Sequence, residues 1–517
     1  MLNIAYLVLG LSFLNPNTSL PWINFQQEFL AIFSLFLLVF YGLKEKEREK
    51  FKVPNGIIYT LIFIFICVFF QYLLGFFYFK QDVILFLLYF CIFIIVCIIS
   101  YNFDLKILNL FKSLIIISLI SVFIQLLQWF DFQSLWLRTS YFNRPSGNLG
   151  QPNQLSTFLF MGLYSLSYIR KENELNTFIY LCVSFFIIFG IALTDSRTAW
   201  LVLFLSLIIV IFRDKSEIKY LLLKITFYII SIFTIKLINK KLIINSNFEI
   251  RNLESLRLYN WNQLFEAIIE RPYFGYGVNQ TTLAQSIVSE KVKSVEYLTY
   301  AHNILIDLFL WFGLPIGLVI FTGCFFLFYI KYYCNKELDT YIFLILSAFI
   351  VHCNLEYPFT YAYFLIPVGI ILGSYYKGEF TKINKIYFIN FIYIVYLFLV
   401  ILCFEYFLLK KQITDLIFEN RINNKSQTYT YRIIDALSFS EIYKFKNYCN
   451  VSLKYKEKEH FENVYYRYPY GRNIYLYAYS SIYANNIDYK LKKYLSYQVK
   501  DVDKTINIMS QKVANCE

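Results

Sequence analysis

Charge is what this chain of 517 residues has least of. Only 16% of its residues are Asp, Glu, Lys or Arg, against about 25% in an ordinary soluble domain, while 58% are hydrophobic and 21% aromatic. A chain this apolar cannot cover its own surface with polar groups, which excludes a single soluble globule as well as disorder. Histidine is almost absent, with three residues at 302, 352 and 460. There is no Walker A sequence and no H-E-x-x-H. The lone Asp-x-Asp, Asp501-Val502-Asp503, sits near the C-terminus and reads as solvated charge, so no cluster for a metal or a nucleotide is evident. Eight of the ten cysteines (67, 91, 97, 182, 324, 334, 353 and 403) fall in or beside apolar runs without metal-ligand spacing and read as small buried hydrophobes. Cys449 and Cys516 lie in the polar tail, where an extracytoplasmic location would allow them to pair.

What is there instead is a succession of apolar runs separated by short charged patches, the signature of membrane-crossing helices. An outer-membrane barrel would show segments of about ten residues in strict alternation. The expected class is therefore all-α, a polytopic helical membrane protein with about thirteen spans (11–14): 2–14, 28–43, 56–78, 83–100, 107–130, 155–169, 177–193, 198–212, 221–238, 303–330, 340–352, 358–376 and 387–409. No leader with an A-x-A site precedes the first run, which is expected to stay as a helix. The loops 44–52, 101–106, 170–174, 213–219, 331–336 and 377–385 carry sixteen Lys/Arg, whereas 15–27, 79–82, 131–154, 194–197 and 353–357 carry four. That bias places the first set in the cytoplasm. It also accounts for most of the net +13, a value that in a soluble protein would suggest nucleic acid. Two long polar segments then fall outside. One is the loop 239–302; the other is the tail from 410, with 18 Lys/Arg against 11 Asp/Glu. The expected domains are a membrane domain, 1–409, and a small, mainly helical extracytoplasmic domain, 410–517, rich in Tyr.

The polar residues capable of chemistry gather on that outer side. Before the sixth span comes Asn143-Arg144-Pro145-Ser146-Gly147-Asn148-Leu149-Gly150-Gln151-Pro152-Asn153-Gln154. Its Gly and Pro residues forbid a regular helix, and its amides offer fixed donors and acceptors. Irregular backbone at a membrane helix mouth is tolerated where it lines water or a ligand. Thr194-Asp195-Ser196-Arg197 opens the eighth span, and Arg197 can snorkel, pair with Asp195, or bind an anion at the helix N-terminus. Leu264, Phe265, Ile268 and Ile269 share a stripe that predicts an amphipathic helix over 254–270, ended by Pro272. In it Arg257 and Trp261, four apart, can stack. His302 opens the tenth span, where a helix N-terminus favours the neutral imidazole that a general base requires. A lone His is more often structural. Glu356 stands at the membrane edge beside Tyr357, and a carboxylate there calls for a partner, an Arg or a substrate hydroxyl.

In chain order these motifs are R-P-S-G-N-L-G-Q-P-N-Q-L, S-R-T-A-W, R-L-Y-N-W with R-P-Y-F-G-Y-G, H-N-I-L-I-D-L and L-E-Y-P-F-T-Y-A-Y-F-L. Together, over about 140–376, they resemble the bacterial protein O-oligosaccharyltransferases of the PglL type, within the O-antigen ligase/polymerase superfamily. The tail departs most from that pattern. The resemblance implies an inner-membrane glycosyltransferase with its active site on the periplasmic face. Such an enzyme moves a glycan preassembled on undecaprenyl pyrophosphate to Ser or Thr of a periplasmic protein, often a pilin, without cofactor or metal. It further implies that Arg197, Arg257 and Arg144 neutralise the pyrophosphate and that His302 accepts the hydroxyl proton for inverting attack. Gln151, Asn153, Gln154, Glu356 and Tyr357 would then position glycan and acceptor. The alternatives are an O-antigen ligase acting on lipid A–core, an O-antigen polymerase, and a flippase or exporter. An exporter should carry charge at mid-membrane depth, which the outer clustering of Arg144, Arg197, Arg257 and His302 does not match.

Overall fold

The computed structural model describes residues 1–18, 23–45, 50–77, 80–138, 144–172, 174–242, 256–288, 291–292, 298–328 and 338–422, with positions 503, 506, 507 and 510 of the tail. Long runs of Leu, Ile and Phe leave the backbone no polar solvent, so its donors and acceptors close on themselves as helices. These are α1 (Leu2–Leu14), α2 (Phe25–Glu45), α3 (Asn55–Leu73), α4 (Lys80–Asn102), α5 (Ile107–Trp129), α6 (Pro152–Lys171), α7 (Thr177–Leu193) and α8 (Arg197–Arg213). There follow α9 (Ile218–Leu242), α10 (Leu256–Glu270), α11 (Thr281–Val288), α12 (Ile304–Phe312), α13 (Leu314–Phe328), α14 (Thr340–Cys353), α15 (Ala362–Ser374) and α16 (Lys385–Ile422). Among the described residues, six helical stretches are long and apolar enough to cross a membrane: Phe25–Lys44, Asn55–Leu73, Val83–Asn102, Ile107–Trp129, Lys215–Asn239 and Lys385–Leu408. The protein is a mostly helical, multi-pass membrane protein. The expected tail domain at 410–517, with Cys449 and Cys516, lies outside the described residues apart from the end of α16 and the four positions named above.

One expected span is corrected. The run 303–330 is not one helix: it breaks at Gly313, φ +79°, into α12 and α13. The R-P-Y-F-G-Y-G segment causes the break by laying its backbone against the run. Tyr276 N–H donates to Leu310 O (2.7 Å), Gly277 N–H to Trp311 O (3.1 Å) and Leu314 N–H to Pro272 O (2.6 Å). A Cβ at Gly313 would sit 2.4 Å from the Tyr273 backbone, so only glycine admits the approach.

Helix α6 is buried along almost its whole length, packed by α5, α7, α8 and α14. At Gly162 a Cβ would fall 2.1 Å from Ser118 Oγ, so the missing side chain is what lets α5 come this close. A second apolar core, formed by α3 with α10–α13, flanks this bundle. Loops of like expected sidedness gather together. At one end β1 (Lys50–Pro54) pairs antiparallel with β2 (Phe380–Asn384), and Asn102 brackets Lys52. Lys171 joins Asp214 (2.6 Å) and Asp339 (2.9 Å) there, and Arg170 joins Glu217. At the other end lie Asn15, Gln27, Asn148, Asn153, Ser196 and Glu356, linked by hydrogen bonds.

Candidate active site

The loop before α6 is irregular for the reasons its composition gives. Gly147 (φ +57°) and Gly150 (φ +76°) occupy left-handed backbone, and Pro152 opens α6 with its φ already helical. Amides projecting from α5 hold this loop. Gln128 Oε1 accepts from Ser146 N–H (3.0 Å) and Gly147 N–H (2.8 Å), and Gln125 Nε2 donates to Pro145 O (3.1 Å). Arg144 is 9% exposed and donates to Thr194 O (3.3 Å) and Asp195 O (3.1 Å), which fastens the loop to the turn that starts α8. The outcome is a fixed first turn of α6 that presents Asn153 and Gln154.

Glu356 is the hub. It sits on the turn between α14 and α15 and is 4% exposed. Its Oε1 accepts from Asn153 Nδ2 (2.9 Å) and from the Arg257 guanidinium, and its Oε2 faces His302 Nδ1 at 2.6 Å. Burial alone would raise this carboxyl's pKa. The hydrogen bond from His302 and the positive charge of Arg257 outweigh it and hold the group down at about 2. Ionised Glu356 can only accept, so His302 Nδ1 carries the hydrogen and a neutral His302 presents its lone pair at Nε2. Nε2 has no hydrogen-bond partner among the described residues.

His302 has φ +56° and lies two residues before the start of α12. Asn303 makes the cap, its Oδ1 accepting from Leu305 N–H (3.0 Å) and Ile306 N–H (3.2 Å), so His302 is spared for another task. Behind it the buried Asp307 accepts from Ala301 N–H (2.9 Å) and Thr281 Oγ1 (2.8 Å), fixing the chain's entry into the helix. The Tyr357 ring packs edge-on to the imidazole, 5.0 Å between centroids.

Helix α10 forms as expected, but its stripe splits: Leu264 and Ile268 are buried, whereas Phe265 and Ile269 are exposed. Arg257 and Trp261 do not stack. Arg257 is drawn to Glu356, and Trp261 Nε1 donates to Ala301 O (2.8 Å), which ties α10 to the residue before His302. Arg197 opens α8, exposed and with no hydrogen bond to any described residue. Its neighbour Ser196 donates to Asn153 Oδ1 (2.8 Å), which joins this turn to the hub.

The fold thus brings His302, Arg257, Asn153, Glu356 and Tyr357 into direct contact and sets Arg197 one residue beyond the network. Gln154 turns inward, accepting from Tyr363 OH (3.1 Å). The Gln151 side chain makes no contact with the hub; its Oε1 is buried without a partner among the described residues. Sequence reasoning missed Gln27, Glu28, Gln125, Gln128, Ser196 and Asp307. Polar side chains inside apolar helices were the available signal for the first four. Among the described residues no three His, Cys, Asp or Glu side chains are grouped to hold a metal ion.

Residues 182–322 match the family described as O-antigen ligase, and residues 145–168 match one described as protein glycosylation ligase. The two matches together cover the loop before α6, the Arg197 turn, α10 and His302. The chain is 32% identical over 495 residues to a ComP-specific O-oligosaccharyltransferase of Acinetobacter baylyi, covering 91% of this chain and 89% of that protein. It is 28% identical over 412 residues to a general O-oligosaccharyltransferase of the same organism, 72% of this chain and 69% of that one. Likeness at this level over nearly the full length shows the family: the chain belongs to the PglL-type O-oligosaccharyltransferases of the O-antigen ligase superfamily and is a glycosyltransferase.

Proposed function

We propose that the protein transfers a preassembled glycan from undecaprenyl pyrophosphate to a Ser or Thr hydroxyl of a periplasmic acceptor protein, such as a pilin, at the periplasmic face of the bacterial inner membrane. The observation that carries this reading is the sharing of Glu356 between His302 and Arg257, one group suited to proton transfer and one to an anion. The acceptor hydroxyl would donate to His302 Nε2 as its oxygen attacks the anomeric carbon. The bond from that carbon to pyrophosphate breaks, and its electron pair leaves with the phosphate oxygen. Arg257 and Arg197 neutralise charge that grows as the bond breaks, so their effect falls in the transition state. Glu356 stabilises the imidazolium that forms, as the carboxylate partner of a catalytic His does. A single displacement inverts the anomeric configuration, and the pyrophosphate leaving group needs no metal. Asn153 and Tyr357 border this space and would orient glycan or acceptor, with Gln154 and Gln151 behind them. Arg144 would act by holding the Arg197 turn.

Orientation follows from the Lys/Arg count, which leaves the hub outside. A protein acceptor is favoured because both relatives are named O-oligosaccharyltransferases and the first is named as specific for ComP. The O-antigen ligase match over 182–322 keeps lipid A–core as the second reading. Purified protein supplied with undecaprenyl-pyrophosphate oligosaccharide and either acceptor separates the two. A Ser- or Thr-containing protein should gain the mass of the whole glycan in inverted linkage. Gain on lipid A–core alone would establish the ligase instead.

A further inference from the structure

Two adjacent polar side chains stand at the start of α2, far in sequence from every motif above, and both are buried: Gln27 is 0% and Glu28 1% exposed. Gln27 Nε2 donates to Asn148 O (3.0 Å) and to Asn15 O (3.1 Å). Glu28 Oε2 accepts from Ala362 N–H and from Tyr89 OH, both at 2.9 Å. Ala362 is the first residue of α15, and Tyr361 before it offers no side-chain cap. A helix opening inside a bundle leaves N–H groups that must find acceptors. Here one acceptor, a carboxyl oxygen, comes from another helix.

The two contacts fall on the two loops that build the hub. Asn148, on the loop into α6, lies five residues before Asn153, and Ala362, where the loop from Glu356 enters α15, lies six residues after Glu356. Asn153 and Glu356 meet at 2.9 Å. One turn of one helix therefore grips both loops and sets their mutual position. A carboxyl is a costly group to bury, and an apolar side chain would pack α2 against α4 and α15 equally well. What an apolar side chain would not do is hold the Ala362 N–H.

We infer that Glu28, assisted by Gln27, is a positioning residue for transfer: it holds the Glu356 turn where that carboxylate reaches His302. It makes no contact with His302 or Arg257 and acts through the backbone of the loop. The inference rests on the proposed role of the hub and adds to it the residue that keeps it in register. Displacing a reacting group by about 1 Å is enough to cost on the order of 10²-fold in rate.

The test separates reach from chemical group. Glu28→Asp keeps the carboxyl but shortens the arm by one methylene, and Glu28→Gln keeps the arm and an accepting oxygen while replacing the carboxyl by an amide. With purified protein, lipid-linked donor and acceptor protein, Glu28→Asp should lower kcat roughly ten- to hundredfold, with the KM for donor within about twofold of wild type. Glu28→Gln should recover most of that loss. Wild-type kcat in Glu28→Asp, or Glu28→Gln as slow as Glu28→Asp, would overturn the inference. Should Glu28→Asp not accumulate in the membrane, Gln27→Ala reads the same clamp from its other arm. Its kcat should fall with donor KM unchanged, and an unchanged kcat would overturn the inference. Glu356→Gln, run alongside, separates the two levels. Unimpaired transfer there sinks the reading of the hub; slow Glu356→Gln beside fast Glu28→Asp and fast Gln27→Ala sinks the clamp alone.

Discussion

The two ends of the bundle hold polar clusters of similar richness that are wired differently. At the end bearing the β1–β2 ribbon, Arg170 and Tyr341 both bind Glu217, Arg170 also lies 3.7 Å from the Tyr220 ring centroid, and Lys171 spans Asp214 and Asp339. There Arg170 and Lys171 are each answered by carboxylates. At the other end a single carboxylate answers two cationic or potentially cationic groups, and each of those keeps an unused face: the side chains of Arg257 and His302 are 36% and 23% exposed. Arg197 beside them is exposed without a partner among the described residues. Buried charge networks occur in both structural and functional places, so their presence decides nothing. What distinguishes the second end is one carboxylate shared between two groups, Arg257 and His302, that each keep an exposed face, an arrangement suited to the anionic donor proposed above.

That contrast predicts opposite phenotypes. His302→Ala should lower transfer about 10²–10⁴-fold, the usual cost of losing a general base, while donor binding and protein level stay near normal. Full transfer, or loss of donor binding in proportion, would make His302 a structural residue and erase the contrast. Arg257→Lys and Arg197→Lys should each lower transfer about tenfold or more, since Lys keeps the charge and loses the planar fork. Near-normal rates in both would mean that a point charge suffices. At the closed end the sign reverses. Arg170→Gln leaves Glu217 buried with its charge unanswered by Arg170 and should destabilise the fold by about 3–5 kcal/mol, lowering the level of protein, with kcat per folded molecule unchanged. A kcat defect there would show that the two ends are coupled.

Two smaller effects sharpen the picture. A carboxyl held at about 2, below its ordinary 4.5, is more stable ionised in the folded chain, so its contribution is complete above pH 4.5 and is lost as pH falls toward 2. The stability difference between wild type and Glu356→Gln should therefore be flat from about pH 5 to 8 and shrink only below that window. A difference that changes between pH 6 and 7 would point to another group. Excess chelator should leave transfer by purified protein unchanged. Loss that a divalent ion restores would contradict the metal-free mechanism.

Much of the fold could be read from hydrophobic run length, because a helix in lipid is dictated by composition over about twenty residues. Each expected span outside 303–330 contains one α-helix, although α16 runs on to Ile422, α15 starts only at Ala362 after a short turn of 3-10 helix, and six helical stretches among the described residues are long and apolar enough to cross a membrane. The break at Gly313 escaped because run length is blind to a distant backbone. Gly313-Leu314-Pro315 carried a local hint, but the partner strapped onto it, 272–277, comes from the preceding loop. Residue type marked His302, Arg257 and Glu356 as candidates, and the fold brings the three together. An Arg partner for Glu356 was legible, but not which Arg: Arg257 looked suited to Trp261, its neighbour along the helix, and only the fold brings Glu356 across 99 positions to claim it. The supporting amides Gln125 and Gln128 were overlooked within an apolar run, though a membrane helix seldom carries such residues without use.

The central claim is that His302 and Glu356 act as one unit. A double-mutant cycle on the transfer rate of purified His302→Ala, Glu356→Gln and the combined variant tests it most directly. If Glu356 serves by orienting and stabilising His302, its removal costs little once His302 is gone, and the double variant should be no slower than His302→Ala. A double variant slowed by the product of the two single effects would contradict the account and leave Glu356 with a task of its own.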